Sequence, residues 1–468
     1  MKKILSIFCL ILIFSCNNDD DIIPTTPTPP SPTSGFNELN DEYWEDCPIT
    51  FENTSQDATS FLWEFGDGNT STEENPTHAY EEAGVYEVIL TASNSVEQST
   101  NTMSIEVMAA TKFELINDLE YSPSKRINDF IITPDGGYIT TGLAGSPFNP
   151  GYPYSGYILV SRTEVVKVDA SGMIEWAIEH EPIDYTPYYI PNTESSSSII
   201  PSNEGDGYIA AITQNISPIG RVVLIKIDNT GNVLMEKTLD FPSTENYYIS
   251  KIINAIDGGY VAIVNNYLVK LDNDMDIVWM QPINNQPAVK SLIRNSSNDG
   301  YVITGWTSSA NGSLNFMMNF SLVGALIWEN SFLGARILDT EMLEDGSYIS
   351  VGTNTSGSYI VKVSQNGNTI NDANFPNVKF HTVTSTDNGK FAVAGNTDQM
   401  GGYRDIYLAE FSDDLTLEWE IAYDKSTTHD VNVIRRTDDC GFIIGGTLGG
   451  EYISSGFLIK TDGRGNFD

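Results

Sequence analysis

The feature that most constrains the fold is a short anchor sequence that recurs seven times beyond Met108. Each copy has turn-forming residues, with a glycine in every copy, followed by an aromatic residue and flanked by apolar runs. Glycine adopts backbone conformations that other residues avoid, so each copy predicts the tight turn of a β-hairpin. The copies occupy residues 135–138, 205–208, 257–260, 298–301, 345–348, 387–391 and 439–442.

A second signature follows the anchor in each repeat. It consists of an apolar segment, a turn that starts with Asp or Ser, and a defined position seven residues after that Asp or Ser. This position holds Trp176, Met235, Trp279, Trp328, Asn371 or Trp419. Two hairpins per repeat give four strands. Consecutive repeats of four strands, with large side chains at fixed offsets, are typical of propeller blades.

The seventh repeat lacks its last strand. Its turn begins at Asp462, so the tryptophan position would be residue 469, one beyond the end of the sequence. The segment 111–118 has alternating apolar residues and belongs to no repeat. We expect it to supply the missing outer strand, because closing the ring removes two exposed sheet edges. If 111–118 were only a linker, one edge would stay unpaired.

The repeats resemble the Gly-Gly-Tyr…Asp-x-x-Gly…Trp propeller repeats of many secreted bacterial proteins. That resemblance covers the region from about 111 to 468 and implies the fold, while leaving the function open. We therefore predict an all-β protein whose residues 109–468 form a seven-bladed β-propeller closed by an N-terminal strand.

A separate domain precedes the repeats, at 36–108. The stretches "WEFGDG" at 63–68 and "NPTHAY" at 75–80 are followed by Gly84, Tyr86 and Val88. These residues resemble the PKD domain, an immunoglobulin-like β-sandwich that usually serves as a spacer or weak binding module. The resemblance implies that Trp63 is a core residue rather than an exposed sugar-stacking residue.

The N-terminus has the pattern of an export signal. Lys2 and Lys3 precede an apolar stretch at 4–14, and "IFSC" at 13–16 resembles the lipobox of bacterial lipoproteins, with Ile in place of the commoner Leu. The resemblance implies that 1–15 is a lipoprotein signal peptide and that Cys16 carries the lipid anchor. A plain secretory signal is the alternative.

Residues 16–35 form an acidic, Pro/Thr-rich segment that predicts an extended spacer. Its start, "NNDDD" at 17–21, is similar to the segment after the lipidated cysteine in surface-displayed lipoproteins of Bacteroidetes-type bacteria. We therefore expect an outer-membrane protein that faces outward.

Charge and cysteine content limit the partners. The formal net charge of −39 opposes binding to nucleic acid. Cys47 and Cys440 fall in different predicted domains, which favours two unpaired thiols. We expect a monomer whose partners are the membrane, through its anchor, and a glycan or protein ligand.

Motifs for catalysis or metal binding are absent from the sequence. The four histidines, His78, His180, His381 and His429, lie in different units, and no nucleophile elbow, phosphate loop or dinucleotide fingerprint occurs. Carboxylates at 272–277 could hold calcium, although a turn explains them better. We predict no catalytic residue, no metal site and no cofactor. Carboxylate pairs in the central pocket could serve a polysaccharide hydrolase, the enzymatic alternative.

Blade one is longer than the other blades, and its additional residues are rich in Tyr and Pro. They lie at 145–157 and 181–192, after the second and fourth strands, so both segments belong to one face of the ring. The tyrosines predicted to bind ligand are Tyr152, Tyr154, Tyr185, Tyr188 and Tyr189. In the more ordinary interpretation they pack on one another and stiffen a long loop. These features predict a non-catalytic, surface-anchored binding protein; a hydrolase or a pure scaffold is the alternative.

Overall fold

A computed structural model of the chain describes fourteen segments. These are residues 29–39, 42–117, 124–148, 158–180, 193–216, 219–242, 246–283, 288–309, 312–333, 336–354, 357–397, 404–423, 428–449 and 454–467. They are almost entirely β-strands and turns, with one short 3-10 turn at Asp387–Gly389 and no α-helix. Accordingly, none of these segments contains a helix of the length and apolarity that crossing a membrane requires.

The chain divides into two compact units. The first comprises Met1–Leu39, Thr50–Thr77 and Tyr86–Ile105, and the second comprises Asn40–Ile49, His78–Val85 and Glu106–Asp468. Two short segments from the first hundred residues therefore belong to the same unit as the repeats.

The N-terminal strands form two sheets, as predicted for an immunoglobulin-like sandwich. The strands are β1 (Phe36–Glu38), β2 (Tyr43–Trp44), β3 (Ile49–Asn53), β4 (Ser60–Glu64), β5 (Thr70–Ser71), β6 (Thr77–His78), β7 (Gly84–Ser93) and β8 (Gln98–Met108). One sheet has the order β1-β3-β6 and the other β2-β8-β7-β4-β5.

An aromatic cluster forms the core of the first unit. Trp63 has no exposed surface, and its ring lies 5.0 Å from that of Phe36 and 5.7 Å from that of Phe51. The indole nitrogen donates to the carbonyl of Glu73 at 3.0 Å. A buried indole with its hydrogen bond satisfied is a core residue, so this prediction is confirmed.

The seven repeats form seven antiparallel blades, each with its first strand innermost. After β9 (Phe113–Asn117), blade one contains β10 (Ser124–Ile132), β11 (Tyr138–Phe148), β12 (Ile158–Val168) and β13 (Ile174–His180). Blade two contains β14 (Thr193–Pro201), β15 (Gly207–Ile216), β16 (Ile219–Asp228) and β17 (Val233–Thr238). Blade three contains β18 (Ile249–Asn254), β19 (Tyr260–Val264), β20 (Tyr267–Leu271) and β21 (Ile277–Pro282).

The remaining blades repeat this arrangement. Blade four contains β22 (Ala288–Arg294), β23 (Gly300–Ser309), β24 (Gly312–Ser321) and β25 (Leu326–Leu333). Blade five contains β26 (Arg336–Met342), β27 (Tyr348–Thr353), β28 (Gly357–Val363) and β29 (Thr369–Pro376). Blade six contains β30 (Val378–Ser385), β31 (Phe391–Thr397), β32 (Ile406–Phe411) and β33 (Leu417–Tyr423), and blade seven contains β34 (His429–Arg436), β35 (Phe442–Gly449) and β36 (Ser454–Thr461).

The innermost strands show that the blades form a closed ring. Each innermost strand contacts that of the next blade, from β10 through β14, β18, β22, β26 and β30 to β34, and β34 contacts β10. The hydrophobic core lies mainly between neighbouring blades, as in the cluster that joins Ile199 and Tyr208 of blade two to Ile139 and Val165 of blade one.

The strand β9 supplies the outer edge of blade seven. It runs antiparallel to β36, with Phe113 opposite Lys460 and Leu115 opposite Leu458. The prediction that a strand from before the first repeat closes the ring is confirmed.

Each tryptophan of the repeat packs on a glycine in the next blade. A Cβ atom built on Gly231 would lie 3.0 Å from the ring of Trp176, and one on Gly324 would lie 2.9 Å from that of Trp279. The pairs Trp328 with Gly367 and Trp419 with Gly465 repeat this contact. These glycines also have positive φ angles, for example 90° at Gly231. The turn therefore needs glycine for its backbone conformation and for the space that the indole fills.

Blades two and five have a smaller side chain at the tryptophan position, and the blade that follows each of them lacks the glycine. Met235 of blade two is followed in blade three by Met275 at a φ of 61°, and Asn371 of blade five is followed in blade six by Leu415 at 70°. A smaller side chain at the tryptophan position leaves room for a side chain on the facing turn, which explains both departures from the repeat.

An ion pair between a largely buried lysine and an acidic residue of the anchor connects the two hairpin turns of most blades. A lysine on the third strand meets an acidic residue of the anchor: Lys167 with Asp135 at 3.0 Å, Lys226 with Asp206 at 2.8 Å, Lys270 with Asp257 at 2.5 Å, Lys362 with Asp345 at 3.2 Å and Lys460 with Asp439 at 2.9 Å. In blade six the charges are exchanged, since Glu410 stands at the lysine position and lies 4.0 Å from Lys390 of the anchor.

Cys47 and Cys440 form a disulfide, so the prediction of two unpaired thiols was wrong. Their Cα atoms lie 5.4 Å apart, although 393 residues separate them in sequence. Both cysteines belong to the second compact unit, in which Arg464 also pairs with Asp46 at 2.8 Å. Sequence reasoning assigned Cys47 to a separate domain, and no local pattern indicated that its segment lies against blade seven.

Candidate functional site

The tyrosines predicted to bind ligand lie outside the described residues. These are Tyr152, Tyr154, Tyr185, Tyr188 and Tyr189, and the predicted lipidation site Cys16 also lies outside them. The flanking strands are described: β11 and β12 are paired up to Phe148 opposite Ile158. At 11 residues each, they are the longest propeller strands of the described chain.

A polar cluster in the centre of the ring is the best-defined candidate site. All seven innermost strands have a bulge at the same position, where one extra residue interrupts the pairing with the second strand. The residues that follow the bulge are Asp129, Ser198, Lys251, Ser291, Asp339, Thr382 and Val433. Bulges bend a strand and redirect its side chains, so each blade places this residue at the same level of the ring.

Asp129 connects four blades at this level. Its Oδ2 accepts from Ser198 Oγ at 2.8 Å and from Lys251 Nζ at 3.0 Å, while its Oδ1 accepts from Arg435 at 3.3 Å. The backbone N–H groups of Phe130 and Ile199 also donate to this carboxylate, at 3.1 and 3.4 Å. Residues from blades one, two, three and seven therefore meet at one buried side chain.

The acidic residues of blade five complete the cluster. Asp339 Oδ2 accepts from Thr382 Oγ1 at 2.8 Å and from the N–H of Val383 at 3.2 Å. Glu341 follows two residues later on the same strand and keeps some access to solvent. Arg435 and Lys251 act electrostatically on Glu341 as well as on Asp129, so the same two cations serve both carboxyl groups.

The two carboxyl groups differ in their tendency to ionise. Burial raises the pKa of Glu341 to about 7, and neighbouring Asp339 adds to the rise while Arg435 opposes it. Burial also acts to raise the pKa of Asp129, but Lys251, Arg435 and the hydrogen bonds outweigh it, so that pKa is lowered. Near neutral pH, Asp129 is therefore charged, while a substantial fraction of Glu341 is protonated.

A second level of the ring has one apolar and one polar side. Two residues after the first level, blades one to four provide Ile131, Ile200, Ile253 and Ile293, whereas blades five to seven provide Glu341, Thr384 and Arg435. The four isoleucines pack against the hydrophobic clusters between neighbouring blades, so the polar groups of this level come from blades five to seven.

The chemistry available to the cluster is limited by the bonding of Asp129. This carboxylate accepts five hydrogen bonds, so it is poorly placed to take a proton from water or to attack a substrate. Lys251 and Arg435 keep about a quarter and a third of their side chains exposed. The cluster therefore presents cationic groups, held by Asp129, beside a readily protonated Glu341.

Sequence reasoning missed this cluster because 63 acidic residues offered no basis for choosing a pair. A usable signal was present: aligning the seven innermost strands on the repeat would have placed Asp129, Lys251 and Asp339 at one level. Arg435 and Glu341 share the next level in the same alignment.

The side chains of two of the described histidines have defined partners. His180 lies 3.3 Å from Glu236, and His381 bonds the carbonyl of Val431 at 2.8 Å. Burial lowers the pKa of His381. Within the described segments, no group of three His, Cys, Asp or Glu side chains has the arrangement of a metal site. The stretch 272–277 forms a closed turn, in which the carboxylate of Asp272 accepts from the N–H of Asp276 at 2.8 Å.

Comparison with known proteins identifies the N-terminal domain. Residues 29–109 match the family model of the PKD domain. Collagenase ColA of Bacillus cereus is 41% identical over 81 residues, which are 16% of this chain and 8% of the collagenase. The chain thus spans less than a tenth of that relative, whose overall activity is no guide to its own.

Solved propellers are similar to the chain over most of its length. The Dos1 propeller has a TM-score of 0.48 and 13% identity, covering 75% of this chain and 94% of its own. The periplasmic gluconolactonase PpgL of Pseudomonas aeruginosa has a TM-score of 0.43 and 10% identity, covering 77% and 94%. The assignment of the ring therefore rests on the strand pairing. A PKD domain beside a propeller suggests a binding or scaffold role.

Proposed function

We propose that this protein is an exported lipoprotein that binds an extracellular glycan or protein, without catalysis, through its propeller. The binding face is the one that carries the two long connections of blade one. The observation that carries the proposal is the hairpin of β11 and β12, whose pairing continues to Phe148 opposite Ile158. The tyrosine-rich sequence at 149–157 therefore connects the ends of an unusually long hairpin.

Export is supported by the disulfide between Cys47 and Cys440. Disulfides persist in oxidising compartments and are rare in the cytosol. In this proposal, residues 1–15 are removed, Cys16 is lipidated and 16–35 separates the domains from an outward-facing outer membrane. The protein acts as a monomer.

Binding is favoured over catalysis by the bonding of Asp129. A catalytic carboxylate needs a free oxygen facing its substrate, whereas both oxygens of Asp129 accept hydrogen bonds from other blades. The cluster therefore fits a role in holding the ring together and in shaping its centre.

The second candidate function is a polysaccharide hydrolase that uses the centre of the ring. The observation in its favour is Glu341, whose pKa of about 7 suits a general acid at neutral pH. This candidate predicts new reducing ends when the protein is incubated with a polysaccharide, and the loss of that activity in Glu341→Gln.

A binding screen tests the main proposal. The full chain, purified in nonionic detergent, is applied to arrays of bacterial, plant and host glycans and of secreted proteins. We expect at least one ligand to be retained without the formation of product. A variant with Tyr152, Tyr154, Tyr188 and Tyr189 changed to Ala should lose that ligand, whereas Tyr248→Ala, which removes an exposed tyrosine of blade three, should retain it.

The outcomes separate the candidates. If the four-tyrosine variant binds the ligand as well as the wild type does, the proposed binding face is wrong. The formation of new reducing ends would favour the hydrolase. For the anchor, metabolic labelling with a fatty acid should mark the wild type but not Cys16→Ser. Protease treatment of intact cells should then degrade the propeller if it faces outward.

A further inference from the structure

The anchor tyrosines connect neighbouring blades through a hydrogen bond. The hydroxyl of Tyr348 accepts from the backbone N–H of Ser296 in the first turn of the preceding blade, at 3.0 Å. The same bond forms at 3.4 Å between Tyr260 and Asn203 and between Tyr301 and Ile256. Blades three, four and five are each connected to their predecessor in this way.

At three other junctions the sequence itself excludes this bond. Tyr208 of blade two faces a turn in which Pro134 occupies the donor position, and proline has no N–H. Blades six and seven have Phe391 and Phe442 in place of the tyrosine, so no hydroxyl is present.

The junction of blades seven and one is the exception. Tyr138 has the hydroxyl and Asp438 has the backbone N–H, yet no described residue forms a hydrogen bond with this hydroxyl. Tyr138 is nonetheless only 2% exposed. The residue as a whole is enclosed, but its hydroxyl keeps contact with solvent, so water or a ligand can make the hydrogen bond that the protein does not.

A pocket of about 180 Å³ lies at this junction. Its lining includes Tyr138, Asp438, Thr437 and Lys460 from the blades and Glu42 and Trp44 from the segment before the disulfide. All of these residues belong to the second compact unit. The disulfide at Cys47 connects that segment to Cys440, two residues from Asp438.

The lining combines an aromatic side chain with buried polar groups. Lys460 is 1% exposed, bonds Asp439 at 2.9 Å and the carbonyl of Thr461 at 2.8 Å, and has a third N–H to donate. Tyr138 can donate or accept, the carboxylates of Glu42 and Asp438 accept, and Trp44 offers an apolar surface. Sugars present hydroxyl groups around the edge of an apolar ring and match such a lining.

Charge and size restrict the ligand class further. Asp439 is neutralised by Lys460, so Glu42 and Asp438 leave the pocket acidic, which disfavours anions. Drug-sized ligands occupy pockets of roughly 300–1,000 Å³, so this one fits a single sugar ring.

We propose that the pocket between blades seven and one, next to Trp44, binds one neutral monosaccharide unit. The hydroxyl of Tyr138 bonds the sugar in place of the inter-blade hydrogen bond, and Trp44 packs on the face of the ring. This site uses none of the blade-one connections, so it is independent of the binding face proposed above.

A titration with monosaccharides tests the site. The full chain in nonionic detergent is titrated with glucose, galactose, mannose and N-acetylglucosamine, with ligand-observed NMR and calorimetry as readouts. At least one sugar should bind with a millimolar dissociation constant. Tyr138→Phe should weaken it about three- to tenfold, as expected for one lost hydrogen bond. Trp44→Ala should remove measurable binding.

The phenylalanine variant preserves the fold, because Phe391 and Phe442 occupy the same repeat position in blades six and seven. Tyr301→Phe is the matched control: it breaks an inter-blade bond that is present, so it should lower stability and leave sugar binding unchanged. The four-tyrosine variant of the blade-one connections should also bind the monosaccharide normally.

Three results would overturn the site. The first is that none of the four sugars binds. The second is that wild type and Tyr138→Phe bind the sugar equally well. The third is that glucuronate or calcium binds as tightly as the best neutral sugar does. If the four-tyrosine variant loses the ligand found in the binding screen but still binds the monosaccharide, both proposals are supported.

Discussion

The ring of Phe113 packs against Gly172, where an added Cβ atom would lie 2.7 Å from the aromatic carbons. Phe113 belongs to β9, opposite Lys460 of blade seven, whereas Gly172 lies in a turn of blade one. Trp176 and Gly231 make the same contact between blades one and two. Phe113 therefore occupies the tryptophan position of blade seven, and the junction that closes the ring is built like the others.

Replacing Phe113 tests that equivalence. Phe113→Ala should destabilise the propeller by about 2–4 kcal/mol, because the side chain fills the space at the closing junction. Urea unfolding followed by circular dichroism measures the effect. The control is Ile116→Ala on the same strand, which is 40% exposed and should cost less than about 1 kcal/mol. Equal costs for the two variants would contradict the role assigned to Phe113.

The tryptophan–glycine contact predicts a difference between two glycines. Gly231 and Gly205 both have positive φ angles, but a Cβ atom on Gly231 meets Trp176 whereas one on Gly205 meets nothing within 4 Å. Gly231→Ala should therefore be more destabilising than Gly205→Ala by on the order of 1–2 kcal/mol. Adding Trp176→Met should recover part of the loss, as the pairing of Met235 with Met275 suggests. Equal thermal stabilities of the two glycine variants would argue against the contact.

Glu341 makes the stability of the ring depend on pH. Its pKa is about 7 in the folded chain, above the ordinary value of 4.5, so the folded state holds the proton more tightly than the unfolded state. The protonated carboxyl group of Glu341 therefore favours the folded state. This contribution to the free energy of unfolding is fully present below about pH 4.5 and is lost as the pH rises through about 7. Glu341→Gln stays neutral, so at about pH 8 it should be more stable than the wild type by on the order of 2 kcal/mol.

Urea titrations between about pH 4 and pH 8 measure this difference. Glu344→Gln replaces an exposed glutamate of the same blade and should leave the pH profile unchanged. A constant difference between Glu341→Gln and wild type across the range would mean that Glu341 does not titrate within it.

The disulfide should stabilise the protein and support the sugar pocket. Replacing both Cys47 and Cys440 by Ser should lower the free energy of unfolding by about 2–5 kcal/mol. It should also weaken monosaccharide binding, because the segment that carries Trp44 loses its covalent connection to blade seven. A reducing agent should have the same effect on the wild type and none on the double variant. Unchanged binding in the double variant would show that the disulfide does not position Trp44.

The ring could be predicted from sequence because its determinants are local and repeated. Each glycine turn and each tryptophan lies within one blade, so seven copies reinforce one interpretation. The closing strand was predictable for a related reason: Asp462 begins a turn with no partner strand, and 111–118 is a strand-like segment without a blade.

The contacts that assemble the candidate sites are long-range, so no single stretch of sequence indicates them, although aligning the repeats would have placed the residues of the central cluster at shared levels. Asp129 and Arg435 are 306 residues apart in sequence and meet only when the ring closes. Cys47 reaches Cys440 across 393 residues, and no short pattern marks either position. The missing bond of Tyr138 became visible only by comparison with Tyr260, Tyr301 and Tyr348 in the structure.

The buried lysine pair and the aromatic–glycine contact have different consequences for how such a ring can grow by gene duplication. The pair between Lys270 and Asp257 forms inside one blade, so copying a blade copies both partners. The contact between Trp279 and Gly324 joins two blades, so each new copy brings a glycine turn for its predecessor and an indole for its successor. An inserted blade is therefore compatible with its neighbours from the start. A later substitution of the turn glycine, as at Met275, requires a smaller side chain at the tryptophan position of the preceding blade.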